Sequence, residues 1–210
     1  MNPEELVSLS RLVKFSDDVI RFLEIKEAAK LLDYVEILSK WSEKMSLVSS
    51  SDSTRIINEH ILDCWAAFAF VPRGTIYLDI GSGSGLPGIV FSILATSSTV
   101  ILVEPRAKRV DFLKEARRVL RLPNLEIVHS RLEDWSPAGE IKDNKMGVSA
   151  VERAVGMEAE IYRELKAKFD KFTLSTMVSK DWPNPLSEIP YSSSAYKLIN
   201  GAEHQLVCFT

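Results

Sequence analysis

The chain has 210 residues, 46% hydrophobic and 26% charged, with two cysteines and a formal net charge of −3. This length suits one α/β domain with a modest extension, whose core needs no crosslinks. Cys64 and Cys208 lack Cys-x-x-Cys or His-ligand spacing, so they are expected as reduced core thiols with no structural metal. Neither a basic start followed by an apolar run nor an apolar stretch of about 18 residues is present, so a cytoplasmic protein with no membrane partner is expected.

Residues 1–71 are predicted as a helical N-terminal extension. Ser16 can cap a short helix, residues 28–47 carry Leu31, Leu32, Val35, Leu38 and Trp41 at helical spacing, and a further helix runs over 53–70. Ser49-Ser50-Ser51 reads as a loop. From residue 72 to 210 strands alternate with helices: strands over 76–80, 100–103, 125–129 and 148–151, helices over 86–95 and 107–121. Such alternation implies a mostly parallel sheet with the ligand at the carboxyl ends of its strands. A strand over 172–178 follows, Asp181-Trp182-Pro183-Asn184-Pro185 breaks the chain, and Ser192-Ser193-Ser194 reads as a loop. Strands over 195–199 and 204–209 around Asn200-Gly201 then predict an antiparallel hairpin.

The densest signal is Tyr77-Leu78-Asp79-Ile80-Gly81-Ser82-Gly83-Ser84-Gly85-Leu86-Pro87-Gly88, an apolar strand entering a glycine loop before a helix. Missing Cβ atoms let backbone approach a nucleotide-like ligand closely. Two readings follow. Gly83, Gly85 and Gly88 fit G-x-G-x-x-G, with Glu104 at the ribose-reading distance of a dinucleotide site, roughly 20 residues on. Alternatively, Asp79 faces a cationic amino-acid end and Glu104 a ribose diol, which S-adenosylmethionine provides without a pyrophosphate for Asp79 to repel. The acids favour the methyl donor, and a purely structural glycine turn is the third option.

Other candidates cluster at the same strand ends. Arg131-Leu132-Glu133-Asp134 offers a carboxylate and amides to an adenine, or a helix cap. Arg153, after Glu152, is either a cleft-lining arginine or one paired with the domain's own acids. His60 and Asp63 lie i,i+3 on one helix, so His60 is a candidate base or a structural histidine. Trp41, Trp65, Trp135 and Trp182 are scattered, which favours packing or loop anchoring over a stacking platform. The segment from Glu104 to Arg131 holds eight basic and four acidic residues, a local excess hidden by the net charge. Within it Asp111 with Glu115 and Lys114 with Arg118 are like-charged i,i+4 pairs, tolerated more readily beneath an anion such as RNA phosphate.

These residues together resemble the RsmG family, also called GidB (glucose-inhibited division protein B). The resemblance is carried by Ser46-Leu47-Val48-Ser49, His60-Ile61-Leu62-Asp63, Asp79 to Ile89 with its Leu-Pro-Gly, Lys108 to Leu113, Asn124, Ser130 to Asp134, and Arg153-Ala154. It implies a class I S-adenosylmethionine-dependent methyltransferase: α/β and Rossmann-like, a mostly parallel seven-stranded sheet with an antiparallel C-terminal hairpin, plus the helical extension. The implied activity is methylation of guanine N7 in 16S ribosomal RNA, acting on the RNA or the small ribosomal subunit; nothing in the sequence demands more than a monomer. Gly81, Gly83, Leu86, Glu104, Leu132, Glu133 and Arg153 are then expected to hold the cofactor. Arg106, Arg109, Arg117 and Arg118 are the candidate RNA contacts, and Glu152 and Arg153 join His60 as candidates for catalysis.

The chain departs from the family pattern at Glu152, where a serine is usual, at Asp181, where a glycine is usual, and at Val148, where an acid commonly opens the strand; the basic tail expected after the last strand is also missing. The sparse catalytic set suits the chemistry, because guanine N7 has an in-plane lone pair and no proton to lose. Alignment with the methyl group then does most of the work, with Glu152 placed to follow the charge moving onto the purine. The other readings are methylation of a small molecule or protein, and a cofactor-binding RNA-associated protein with little turnover.

Overall fold

The computed structural model describes residues 1–15, 22–142 and 147–210; Ser16 lies outside them. Eight strands form one sheet: β1 (Lys14–Phe15), β2 (Ile76–Ile80), β3 (Thr99–Val103), β4 (Leu125–Val128), β5 (Val148–Arg153), β6 (Phe172–Ser179), β7 (Tyr191–Lys197) and β8 (Glu203–Phe209). Their spatial order is β1-β7-β8-β6-β5-β2-β3-β4. The run β4-β3-β2-β5-β6 is parallel, β8 is antiparallel to both β6 and β7, and β1 is antiparallel to β7.

The sheet thus has eight strands rather than the seven expected. The extra one lies inside the segment read as wholly helical, with Lys14 opposite Lys197 and Phe15 opposite Tyr196. Two residues carry no readable period. β1 exists because β7 offers an unpaired edge, and it covers that edge. β7 also begins at Tyr191, so Ser192, Ser193 and Ser194 are strand residues and not a loop, the first two exposed and the third half-buried. At the hairpin, the Leu198 amide donates to the Ala202 carbonyl at 2.9 Å.

Before the parallel run come α1 (Pro3–Ser10), α2 (Ile25–Ser42), α3 (Ser53–Ile56), a π-helical turn at Ile57–Ile61, and α4 (Leu62–Phe68). Asn2 and Glu5 form a reciprocal capping box at the start of α1. α2 ends at Ser42, five residues short of the expected end, and Leu47 is buried from the following loop. The helix predicted over 53–70 is interrupted by the π turn, which no composition signal marks.

Crossover helices follow as α5 (Gly88–Leu94), α6 (Ala107–Leu120), α7 (Gly139–Lys142) and α8 (Glu158–Lys168), the last two not anticipated from the sequence. Alternate residues of the central strands enter two cores. Tyr77, Val100, Leu102 and Val151 meet the N-terminal helices, α5 and α6, whereas Leu78, Ile80, Ile101 and Ala150 meet α8 through Ile161 and Leu165. Burial of both faces explains why β2 is apolar nearly throughout. The N-terminal helices therefore form part of one layer over the sheet, and the hydroxyl of buried Tyr34 in α2 donates to the Ser84 carbonyl at 2.6 Å, bracing the glycine loop.

Candidate active site

The carboxyl ends of β2, β3, β4 and β5 open into a cavity of about 870 Å³. Gly81, Gly83, Leu86, Glu104, Leu132, Glu133 and Arg153 all line it, joined by Val48, Ser49 and His60 from the helical layer and by Met157, Glu160, Ile161 and Glu164 from the start of α8. Most of the residues from α8 and from the loop after α2 were missed in the sequence. The crossover rule carries the signal for the first group, since chain leaving β5 must begin its helix at that sheet edge.

The loop is shaped by close contacts. Gly83 has φ +55°, and a Cβ there would lie 3.0 Å from Arg109 Nη1. A Cβ on Gly88 would fall 2.2 Å from Leu102 Cδ2 and 2.6 Å from Asp79 Oδ2, so only glycine lets α5 start against β2 and β3.

Asp79 does not face the cavity. It is 1% exposed and accepts the Gly88 amide at 2.9 Å, which corrects the reading of Asp79 as partner of a cationic amino-acid end. Burial raises its pKa to about 7, partly opposed by that amide. Glu104 accepts the Gly83 amide at 2.8 Å through Oε2 and the Arg106 amide at 2.9 Å through Oε1. Each oxygen keeps a second lone pair, so the group can still receive a diol.

Those contacts decide between the two ligand readings. A pyrophosphate at such a turn requires amide donors. Here Gly81 and Ser82 both donate to the Val103 carbonyl, Gly83 donates to Glu104, Gly85 to the Ser82 carbonyl and Gly88 to Asp79. The turn supplies shape and an acid, and the dinucleotide reading does not fit.

Arg153 unites the two alternatives left open for it: it lines the cavity and pairs with the protein's own acid. Its Nη2 lies 3.2 Å from Asp63 Oδ2 and 2.9 Å from His60 Nδ1. A guanidinium can only donate, so Nδ1 accepts and the remaining imidazole proton sits on Nε2. Burial, and then the Arg153 charge, lower the His60 pKa, keeping the ring neutral. His60 therefore orients Arg153. Asp63 also receives the Tyr196 hydroxyl and His204 Nδ1, each at 2.7 Å.

Glu152 lies outside this cavity. It is fully buried, accepts the Val155 amide at 3.2 Å through Oε2, and lies beside the hydroxyl of Thr176, its register partner on β6. Burial raises its pKa to about 7. It lines a second cavity of about 380 Å³ beside β6. The four arginines divide: Arg106 and Arg109 stand at the mouth of the large cavity, whereas Arg117 and Arg118 border an open groove at the far end of α6 with Lys114 and Arg121. Arg118 does not repel its neighbours, because it turns to Glu115 at 2.7 Å.

Both cysteines are buried free thiols. Among the described residues no cluster of three or more His, Cys, Asp or Glu side chains is placed to hold a metal ion, and no helix is long and apolar enough to cross a membrane.

Solved structures with this fold include a SAM-dependent methyltransferase from Aquifex aeolicus, 15% identical with a TM-score of 0.53 over 82% of this chain and 98% of that one. The METTL16 MTase domain gives 14% identity and a TM-score of 0.58 over 100% of this chain and 92% of that one. The architecture is thus a Rossmann-like class I S-adenosylmethionine-dependent methyltransferase fold. Within it, the chain belongs to the GidB family, rRNA small subunit methyltransferase G, whose family model matches residues 27–174.

Curated relatives called ribosomal RNA small subunit methyltransferase G come from Hahella chejuensis, 36% identical over 118 residues, and Desulfotalea psychrophila, 42% identical over 106 residues. The first match covers 56% of this chain and 54% of the relative, the second 50% and 49%. The chain therefore spans about half the length of these curated relatives.

Proposed function

We propose that this protein transfers a methyl group from S-adenosylmethionine to N7 of a guanine in 16S ribosomal RNA, in the cytoplasm. The observation that carries the reading is the glycine turn whose amides are engaged internally, with the Glu104 carboxylate beside it in a cavity of about 870 Å³. Family membership supplies the substrate class. Residues 1–71 are read as an extension that braces the cofactor loop, and 72–210 as the methyltransferase domain.

In this reading Gly81, Gly83 and Leu86 admit the ligand, Glu104 receives the ribose hydroxyls, and Leu132 with Glu133 border the adenine. Arg153, fixed by His60 and Asp63, faces the ligand's carboxylate end. The bound cofactor supplies an electrophilic methyl on a sulfonium. Purine N7 carries its own lone pair and no hydrogen, so methylation there would need no protein base to remove a proton. The protein therefore needs to orient, exclude water and stabilise charge. Positive charge appears on the purine, and Glu152 is proposed to answer it from the smaller cavity.

The test is transfer of labelled methyl to small ribosomal subunits lacking base methylation, with cleavage mapping at 7-methylguanosine. Label at one guanine N7 supports the reading. Cofactor binding with no label in RNA sinks it in favour of a small-molecule or protein acceptor, or a binding protein with little turnover.

A further inference from the structure

Arg153 is held from behind, and the residues that hold it are themselves held. Its Nη2 meets three acceptors from the π turn and the start of α4: His60 Nδ1 at 2.9 Å, Asp63 Oδ2 at 3.2 Å and the Glu59 carbonyl at 3.4 Å. Asp63 is then gripped by the C-terminal hairpin. Its Oδ1 accepts the Tyr196 hydroxyl from β7 and His204 Nδ1 from β8, each at 2.7 Å. Tyr196 and His204 are register partners, with ring centroids 6.0 Å apart and planes at 73°. Phe70 stacks on Tyr196 at 6.3 Å from the other side of that contact's chain, within the helical layer's loop to β2.

The arrangement removes a freedom that an aspartate normally has. The last torsion of the side chain is broad and roughly two-fold, so either oxygen can face a given partner. Two donors on Oδ1 fix it, and Oδ2 is the oxygen presented to Arg153. The Asp63 side chain is 3% exposed, which leaves little room for water to replace a missing donor. Arg153 keeps 20% exposure of its side chain and lines the large cavity, whereas among the described residues β7 and β8 line no part of that cavity.

We infer that Tyr196 and His204 are positioning residues for the ligand: acting through Asp63, they hold the Arg153 guanidinium where it meets the carboxylate of the cofactor's amino-acid end. This rests on the proposed reading of Arg153 and deepens it. The hairpin that closes the sheet thereby sets affinity at a site it does not touch.

The experiment is calorimetric titration of the full chain with two probes, S-adenosylhomocysteine, which carries the amino-acid end, and 5′-methylthioadenosine, which lacks it. Wild type, His204→Ala, His204→Asn and Tyr196→Phe are compared, each also melted to show that it folds. A hydrogen bond to a charged group corresponds to roughly 10- to 150-fold in an equilibrium, and only the part transmitted to Arg153 reaches the ligand. His204→Ala and Tyr196→Phe should therefore each weaken S-adenosylhomocysteine roughly tenfold while 5′-methylthioadenosine stays within about twofold. His204→Asn, whose amide nitrogen can donate from the place of Nδ1, should recover most of the loss. A merely structural role would weaken both probes alike.

Equal loss for the two probes, wild-type affinity for S-adenosylhomocysteine in either His204→Ala or Tyr196→Phe, or a His204→Asn as weak as His204→Ala overturns the inference. A wild type that binds S-adenosylhomocysteine no more tightly than 5′-methylthioadenosine also overturns it, by removing the Arg153 contact, while leaving the methyl-donor reading intact. A wild type that binds neither probe overturns both. Should His204→Ala lose its cooperative melt, Tyr196→Phe decides, because its ring stays against Phe70 and only the hydroxyl is removed.

Discussion

Replacing Asp63 by Asn should destabilise the protein by about 3 kcal/mol at neutral pH. The Asp63 side chain is 3% exposed, and it balances Arg153 while accepting from Tyr196 and His204. Removing one partner of a buried ion pair costs roughly 3–5 kcal/mol, because the other charge is left uncompensated. The lower end applies, since the Arg153 side chain keeps 20% exposure and Nη2 still reaches His60 Nδ1 and the Glu59 carbonyl.

For a chain of this size each kcal/mol moves Tm by roughly 2–4 °C, so calorimetry should record a fall of about 6–12 °C. The pH dependence gives a second readout. Burial by itself would raise the Asp63 pKa, but the His204 hydrogen bond and the Arg153 charge bring it below its ordinary 3.8. Stability from a depressed carboxylate is complete above the unfolded value and is lost as pH falls through the folded one. Wild type should therefore lose stability more steeply than Asp63→Asn below about pH 4. A Tm shift under about 2 °C at pH 7, or equal acid-side slopes, would refute the argument that Asp63 balances a buried charge.

Glu152→Gln tests the opposite sign. With a folded pKa raised to about 7 from 4.5, the wild-type carboxylate contributes stability at low pH that is lost as pH rises between those values. The variant should therefore be more stable than wild type at pH 8 by about 3 kcal/mol, with reduced turnover; a wild-type pH profile contradicts the first expectation and wild-type turnover the second. Gly88→Ala should abolish cofactor binding and lower Tm by several degrees, because its Cβ meets Leu102 and Asp79 at once, and calorimetric titration with the cofactor checks it. Replacing Arg106 and Arg109, or Arg117 and Arg118, by Ala should flatten the dependence of log K for RNA on log salt by about 0.7–0.9 for each phosphate no longer neutralised. Only the first pair should also disturb the cavity mouth, and an unchanged slope in both double variants removes α6 from the RNA surface.

The parallel run and the ligand end of its sheet were legible because their signals are local. Strands buried on both faces must be apolar, and the turn after Ile80 needs glycine whatever lies elsewhere in the chain. The glycine turn and the acid closing the next strand marked Gly83 and Glu104, the strand-end rule drew in the segments of Leu132, Glu133 and Arg153, and the family resemblance supplied Gly81, Leu86 and the assignment of all seven to the cofactor; all seven line one cavity. Charge pairing was read less well: spacing put Lys114 beside Arg118, but rotamer freedom let Arg118 turn to Glu115 instead.

What the sequence by itself determined was the class of fold, the position of the glycine turn and the family, since each depends on neighbours within about a dozen residues or on a motif preserved in order. Only the tertiary structure decided that Lys14 and Phe15 close the sheet edge, that Asp79 points inward to Gly88, and that Arg153 lines both cavities whereas Glu152 lines only the smaller. Those outcomes depend on contacts such as Asp63 with Arg153 and Phe15 with Tyr196, whose partners are remote along the chain. No local preference encodes such a pairing; burial selects it, because inside the protein a polar group must find whichever partner the fold brings near.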